Sequence, residues 1–347
     1  MKILKAFIPI VLLLMGCRKE KDVTFVEDDK KNALEIVGTQ WVSPVANIED
    51  HIQDMVVYKD NIIFSLLYYK NGNFAYSAES SGNDIRYHFA SLGGGSGFER
   101  LKVIQDELYG MGAVGIYGAW KYAPETWNQW EPYARNGTNF YDLEKYNNQD
   151  VIATGFAPSV YMMVGFTFDT LGDGFNKSAT CLTMYNGDLI AGGGFSKSGS
   201  KNIQGIARWN GNSWEQLGQG IDGTVNCMTV MNGKLIVGGS FKKSGSTVLN
   251  SIAIWDGSTW STMNEGFKEA GDAVYCLAVN GDELIVGGDF QEAGGEYSPN
   301  IIKWAKNKWV ALPAGVPSSV GSMVIYKNRL YVTNSSTFDQ DYFLRLE

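Results

Sequence analysis

Asn186-Gly187-Asp188-Leu189-Ile190-Ala191-Gly192-Gly193 returns as Asn232-Gly233-Lys234-Leu235-Ile236-Val237-Gly238-Gly239, and again as Asn280-Gly281-Asp282-Glu283-Leu284-Ile285-Val286-Gly287-Gly288. Each copy is a tight turn, a short apolar run and two glycines. Asn-Gly favours a two-residue hairpin because both central residues take positive φ, and the glycines let one backbone approach another closely. A second hairpin follows each copy, from Ile206 to Trp214, Ile252 to Trp260 and Ile302 to Trp309. Two hairpins make one four-stranded antiparallel sheet, and their recurrence marks a repeat architecture.

The period extends upstream. Trp41, Tyr87, Trp130, Phe168, Trp214, Trp260 and Trp309 each open a fourth strand, and a first-strand residue follows at a fixed offset, as Met55 follows Trp41, Met228 follows Trp214 and Glu144 follows Trp130. Second strands keep step through Ile62, Leu108, Val151, Leu189, Leu235, Leu284 and Leu330, so both markers count seven. After Leu330 there is room for one more strand, Tyr342 to Leu346, whereas Trp41 holds a fourth-strand place with no strands before it. The expectation is an all-β, seven-bladed β-propeller over residues 34–347, closed when the N-terminal strand, near 39–46, completes the last blade against 342–346. Such closure removes the sheet edges that an open array exposes. A linear β-solenoid, the alternative, has no use for complementary ends.

Composition agrees with many short strands joined by tight turns, with 41 Gly, 18 Tyr, 17 Phe and 10 Trp against 8 Pro. Met1, Lys2 and Lys5 precede an apolar run from Ala6 to Met15 that is too short for a stable transmembrane helix, so residues 1–16 read as a signal peptide. Residues 17–33 read as Cys17 and a charged, flexible tether. Loss of Lys2 and Lys5 takes the 29 basic residues to 27 against 37 acidic ones, leaving about −10 on the mature chain. Nucleic acid is excluded as an expected partner, because a basic footprint is missing.

Leu14-Met15-Gly16-Cys17 resembles the lipobox of bacterial lipoproteins. That resemblance implies acylation of Cys17, membrane attachment through the lipid and, with Arg18 rather than Asp after the cysteine, an outer-membrane address facing the periplasm or the cell surface. The diglycine followed by Trp255 and Trp260 resembles Kelch and galactose-oxidase-like propellers. The fuller pattern, Gly-Gly-x-Phe through Trp-Asp-Gly-x-x-Trp, is closest to repeats of cortical cell-polarity-marker type. Residues 178–313 carry this resemblance well, and 47–170 only in spacing. It implies a fold, not an activity.

Candidate chemistry is sparse. Cys181, Cys227 and Cys276 fall at one place in successive repeats, where others show Asp54, Arg100, Leu143 and Ser322. Facing sheets about 10 Å apart exceed the Cα limit of about 7 Å for a disulfide, so free buried thiols are expected and no metal site. His51 and His88 are the two histidines, in different repeats and without a neighbouring cysteine, which argues against copper-radical chemistry. Asp256-Gly257-Ser258-Thr259-Trp260 partly matches a sialidase Asp-box but lacks its leading Ser, so turn chemistry is the simpler reading. Phe195, Phe241 and Phe290 follow the diglycines in register and read as inter-blade core, with Lys197, Lys243 and Glu292 on a solvated rim.

The two faces of the disc differ. First-to-second and most third-to-fourth turns are tight, whereas second-to-third and inter-blade loops are longer and varied, so binding is expected on the loop face. There Tyr117, Trp120, Tyr133 and Arg135, with Asn136, offer aromatic planes flanked by a guanidinium and an amide. His51, Asp54 and Arg100 are placed near the axial opening, Asp54 and Arg100 as an ion pair lining it. The expected function is a non-catalytic binding module for a glycan or a protein, monomeric and without a cofactor. The alternatives are a carbohydrate-active enzyme at the axial opening and a structural role in an envelope assembly.

Overall fold

The computed structural model describes residues 41–42, 51–67, 75–80, 85–90, 98–114, 117–123, 130–134, 139–164, 167–269, 271–313, 315–334 and 343–346. The expected signal segment, Cys17 and the expected tether lie outside them. Among the described residues, six contiguous four-stranded antiparallel sheets follow one another, with first strands His51–Tyr58, Arg100–Ile104, Phe140–Tyr146, Ala179–Tyr185, Gly223–Met231 and Ala273–Asn280. We call these blades one to six. Their first strands lie side by side about a central axis, and blade one meets the strand Val320–Tyr326 that follows blade six.

The expectation of a seven-bladed propeller, its last blade completed by the N-terminal strand, therefore needs correction to six blades. Six blades are self-contained, and the sheet that closes the ring is a composite rather than a further repeat. It is made of Val320–Tyr326, Arg329–Asn334 and Phe343–Leu346, with Trp41–Val42 at its edge. The edge pairing joins Trp41 to Leu346 and Val42 to Arg345, two residues among those described rather than the eight-residue stretch anticipated. Apolar clusters fill the gaps between neighbouring sheets, and one of them runs through blades four, five and six.

The diglycines have a local cause. The first strand bulges between Ala179 and Cys181, between Val225 and Cys227, and between Val274 and Cys276. A bulge pushes one residue out of the ladder and kinks the strand. A Cβ on Gly193 would sit 2.2 Å from the Ser178 carbonyl oxygen just before the bulged strand, and one on Gly239 or Gly288 would sit 2.1 or 2.0 Å from a carbonyl oxygen within it. A Cβ on Gly238 would instead meet Val274 of the next blade at 2.4 Å and the Cys227 sulfur at 2.8 Å. One glycine thus admits the bulge, and the other admits the neighbouring blade.

Tight hairpins join first and second strands throughout. Asn186 and Gly187 have φ of 49° and 85°, and Asn232 and Gly233 have 52° and 70°. In the third copy the turn is Gly281-Asp282, because Asn280 already pairs with Glu283. Blades four to six add a small ribbon between their second and third strands: Lys197–Ser198 with Lys201–Asn202, Lys243–Ser244 with Thr247–Val248, and Glu292–Ala293 with Glu296–Tyr297.

The tryptophans stitch blades together. Trp214 Nε1 donates to the Leu171 carbonyl of the preceding blade at 2.9 Å, Trp260 to Leu217 at 3.1 Å and Trp309 to Met263 at 3.1 Å. Each also packs against a tryptophan at or next to the end of the third strand, Trp209, Trp255 or Trp304, with Trp255 and Trp260 centroids 5.0 Å apart. Phe195, Phe241 and Phe290 are buried, as inter-blade core residues should be.

Candidate functional site

Each bulge aims one first-strand side chain at the next blade. Asp54 Oδ2 accepts from Leu101 N at 2.8 Å, while Oδ1 accepts from Met55 N at 2.9 Å and from the Ser322 hydroxyl at 2.7 Å. Asp142 repeats the motif, taking Leu182 N at 2.8 Å and Leu143 N at 2.8 Å. Cys181, Cys227 and Cys276 point their thiols at the carbonyls of Val225, Val274 and Val320, 3.7 to 4.0 Å away. The place expected for Leu143 therefore belongs to Asp142. In blade three the offset from Trp130 is one residue shorter than elsewhere, and Leu143, not Glu144, is the apolar residue beside it.

The three cysteines are buried and form no disulfide. Burial raises the Cys227 thiol well above its ordinary range, so it is a protonated packing group rather than a nucleophile. Among the described residues, no group of three or more His, Cys, Asp and Glu is placed to hold a metal ion.

Lys102 was not singled out by sequence. It is fully buried, reaches across blade three, and donates to Asp142 Oδ1 at 2.7 Å and towards the Leu182 carbonyl of blade four at 3.5 Å. Glu144 Oε2 lies 3.7 Å from the same ammonium. A lysine inside an apolar repeat is the signal that could have found it, since buried charges survive only when paired.

A second polar cluster spans blades two and three. Tyr109 donates to Glu107 at 2.6 Å, Lys121 holds the other Glu107 oxygen at 2.5 Å, and Tyr133 donates to Asp150, which also binds Lys145 at 2.7 Å. Burial, then hydrogen bonding to Glu107, raises the Tyr109 hydroxyl, and burial with Asp150 raises that of Tyr133. Burial pushes the Glu107 carboxyl up, but the hydrogen bonds from Lys121 and Tyr109 outweigh it and leave the group below its usual range.

The loop-face candidates separate accordingly. Trp120 is 4% exposed, in the third strand Tyr117–Tyr122. Tyr133 lies in the fourth strand Trp130–Ala134 with its ring edge-on to Tyr109, in the inter-blade cluster rather than a loop. Tyr117 opens the third strand of blade two and His51 the first strand of blade one. Arg135 and Asn136 fall outside the described residues. Arg100 opens the first strand of blade two, half-buried, and its charge is felt at Cys227. A residue missed by sequence is Phe156, 67% exposed in the second-to-third loop of blade three. The Thr154 hydroxyl fixes that loop by donating to the Phe156 carbonyl at 3.0 Å.

Asp256 is a turn residue. Its carboxylate collects the backbone N–H groups of Ser258 and Thr259 at 2.8 Å each, and both hydroxyls. Asn210 does the same with Asn212 and Ser213 in blade four, so neither hairpin needs a sialidase explanation.

Solved structures share this architecture. The computationally designed protein Ika8 superposes with a TM-score of 0.55 at 11% identity, over 88% of this chain and 99% of the other. The β-propeller domain of the Trilobed protease from Pyrococcus furiosus, described as having an open velcro topology, gives 0.56 at 10% identity, over 86% and 95%. The chain is a β-propeller. At such identities the likeness carries the fold alone. No protein-family model and no curated protein matches the sequence.

Proposed function

We propose that this propeller is a lipid-anchored, non-catalytic binding module of the cell envelope that docks another protein on the loop face of blades two and three. The observation that carries the reading is Phe156. A large apolar side chain held out of a braced loop offers area that a partner can bury, and a buried aromatic anchor of this kind carries much of the energy of a protein interface. Strand direction brings His51, Tyr117 and the end of the strand before Arg135 to the same face of the disc. Axial carboxylates favour this reading over glycoside hydrolysis, because Asp54 and Asp142 spend their oxygens on backbone N–H groups and hydroxyl or ammonium partners. The anchor rests on Cys17 and the sequence before it.

A photo-crosslinking residue placed at position 156 in living cells should yield a discrete protein adduct, and one at Asp106, on the tight-turn face, should not. The adduct should fade when Arg135→Ala is added. Adducts of equal intensity from both positions, or binding to a glycan array with no protein adduct, would remove the protein-docking reading. Metabolic labelling with an alkyne fatty acid should be abolished by Cys17→Ser; persistent labelling would remove the anchor.

A further inference from the structure

The ribbons of blades five and six occupy one frame and invert their charge. Ser244 and Ala293 turn inward, 4% and 1% exposed. Lys243 takes the place that Glu292 takes one blade later, with Lys242 before it, whose ammonium also donates to the Glu269 carbonyl at 3.0 Å, and with Glu296 paired to Ala293 in the blade-six ribbon. Directly across each ribbon from that charged position stands a large apolar residue, Val248 opposite Lys243 at 59% and Tyr297 opposite Glu292 at 68% exposure. Two neighbouring hairpins of one shape therefore carry opposite charge and the same exposed apolar position.

From this we infer that the ribbon edge of blades five and six binds a second copy of the chain. A two-fold axis between the two ribbons lays the cationic ribbon of each protomer on the anionic ribbon of its partner, and Val248 meets Tyr297 twice. An isologous interface needs such self-complementarity, because every contact made by one subunit is returned by the other. Charge complementarity then fixes register and speeds encounter more than it deepens affinity. Two ribbons cover less than the roughly 800 Å² per partner of a standard interface, so the dimer is weak and salt-sensitive. This surface is separate from the Phe156 loop, so either proposal can fail alone.

Sedimentation velocity of the full chain at low salt should show concentration-dependent dimerisation, with the dissociation constant rising about tenfold or more as salt screens the pairs. Glu292→Lys with Glu296→Lys should give a monomer, and so should Lys242→Glu with Lys243→Glu. Mixing these two variants should restore the dimer, because both ribbon contacts are then of opposite sign. The fourfold variant carrying all the swaps should self-associate again. Unchanged melting temperatures would show that each variant folds, and Val248→Asp offers an independent disruption if one does not. A monomeric wild type, or reversed variants that fail to restore each other, overturns the proposal.

Discussion

Blades four to six and blades one to three solve the same packing problem with different chemistry. In the first group the bulge side chain is a thiol, the neighbouring inward position is Thr183, Thr229 or Ala278, and the second strand supplies glycine. In the second group the bulge carries Asp54 or Asp142, the inward positions include Lys102 and Glu144, blade two sets Tyr122 against Trp130 where the regular blades set two tryptophans, and a Tyr133–Asp150 hydrogen bond joins blades two and three. Small, neutral groups let blades touch directly. Ionised groups must be desolvated first, and they recover that cost only with every partner in place. The regular half can therefore tolerate loss of one member better than the ionic half can.

The sharpest way to break this comparison is Lys102→Thr, which gives blade two the residue type found in blades four and five. Left without their cation, Asp142 and Glu144 should destabilise the protein by about 3–5 kcal/mol in urea unfolding. Converting the whole cluster, with Asp142→Cys and Glu144→Thr added, should recover much of that loss. If the triple variant is no more stable than the single one, the two chemistries are not interchangeable and the comparison fails.

This division also decided what could be read in advance. Gly192-Gly193, Trp214 and Cys181 recur in register, because a packing solution made of small and aromatic residues repeats in sequence wherever it repeats in space. Asp142 went unread because blade three is one residue out of step, and Lys102 because its partners come from blades three and four. Turns such as Lys59-Asp60, Gln105-Asp106 and Lys327-Asn328 carry positive φ at both residues without a glycine to announce it. Trp120 and Tyr133 looked like binding residues because aromatics near a loop carry no mark of which side they face. The two-residue edge strand at Trp41–Val42 followed from chain-end arithmetic, which fixes that the ends meet but not how far they pair. Phe156 gave no sequence signal, because one aromatic residue in a loop becomes an anchor only when the backbone holds it outward.

Within the regular half, the two roles of glycine should differ in size. Gly239→Ala drives a methyl group to 2.1 Å from the Thr224 carbonyl and should cost about 3 kcal/mol, since backbone rather than a flexible side chain must yield. Trp260→Phe keeps an aromatic ring but removes the Nε1 donor and orphans the Leu217 carbonyl, and should cost about 1–2 kcal/mol. Gly233→Ala meets nothing within 4 Å but has φ of 70°, so about 1 kcal/mol is expected. Urea midpoints would rank the three, and a Gly233 variant as damaged as the Gly239 one would show that turn conformation, not blade contact, limits these blades.

The smallest effect compares two hairpins of the regular half that share geometry but not charge. Asp256 and Asn210 cap their turns alike, yet only Asp256 titrates. Hydrogen bonds from Thr259 and Ser258 hold the Asp256 carboxyl well below the usual carboxylate range. A depressed folded-state pKa contributes stability that is present above the unfolded value, near about 3.9, and is lost as pH falls through the folded one. The melting-temperature deficit of Asp256→Ala should therefore persist from neutral pH to about pH 4 and shrink only in stronger acid. Asn210→Ala should show a deficit that does not change over the same range. A deficit for Asp256→Ala that already vanishes at mildly acid pH would mean that the hydrogen bonds of the turn do not hold its carboxyl below the ordinary range.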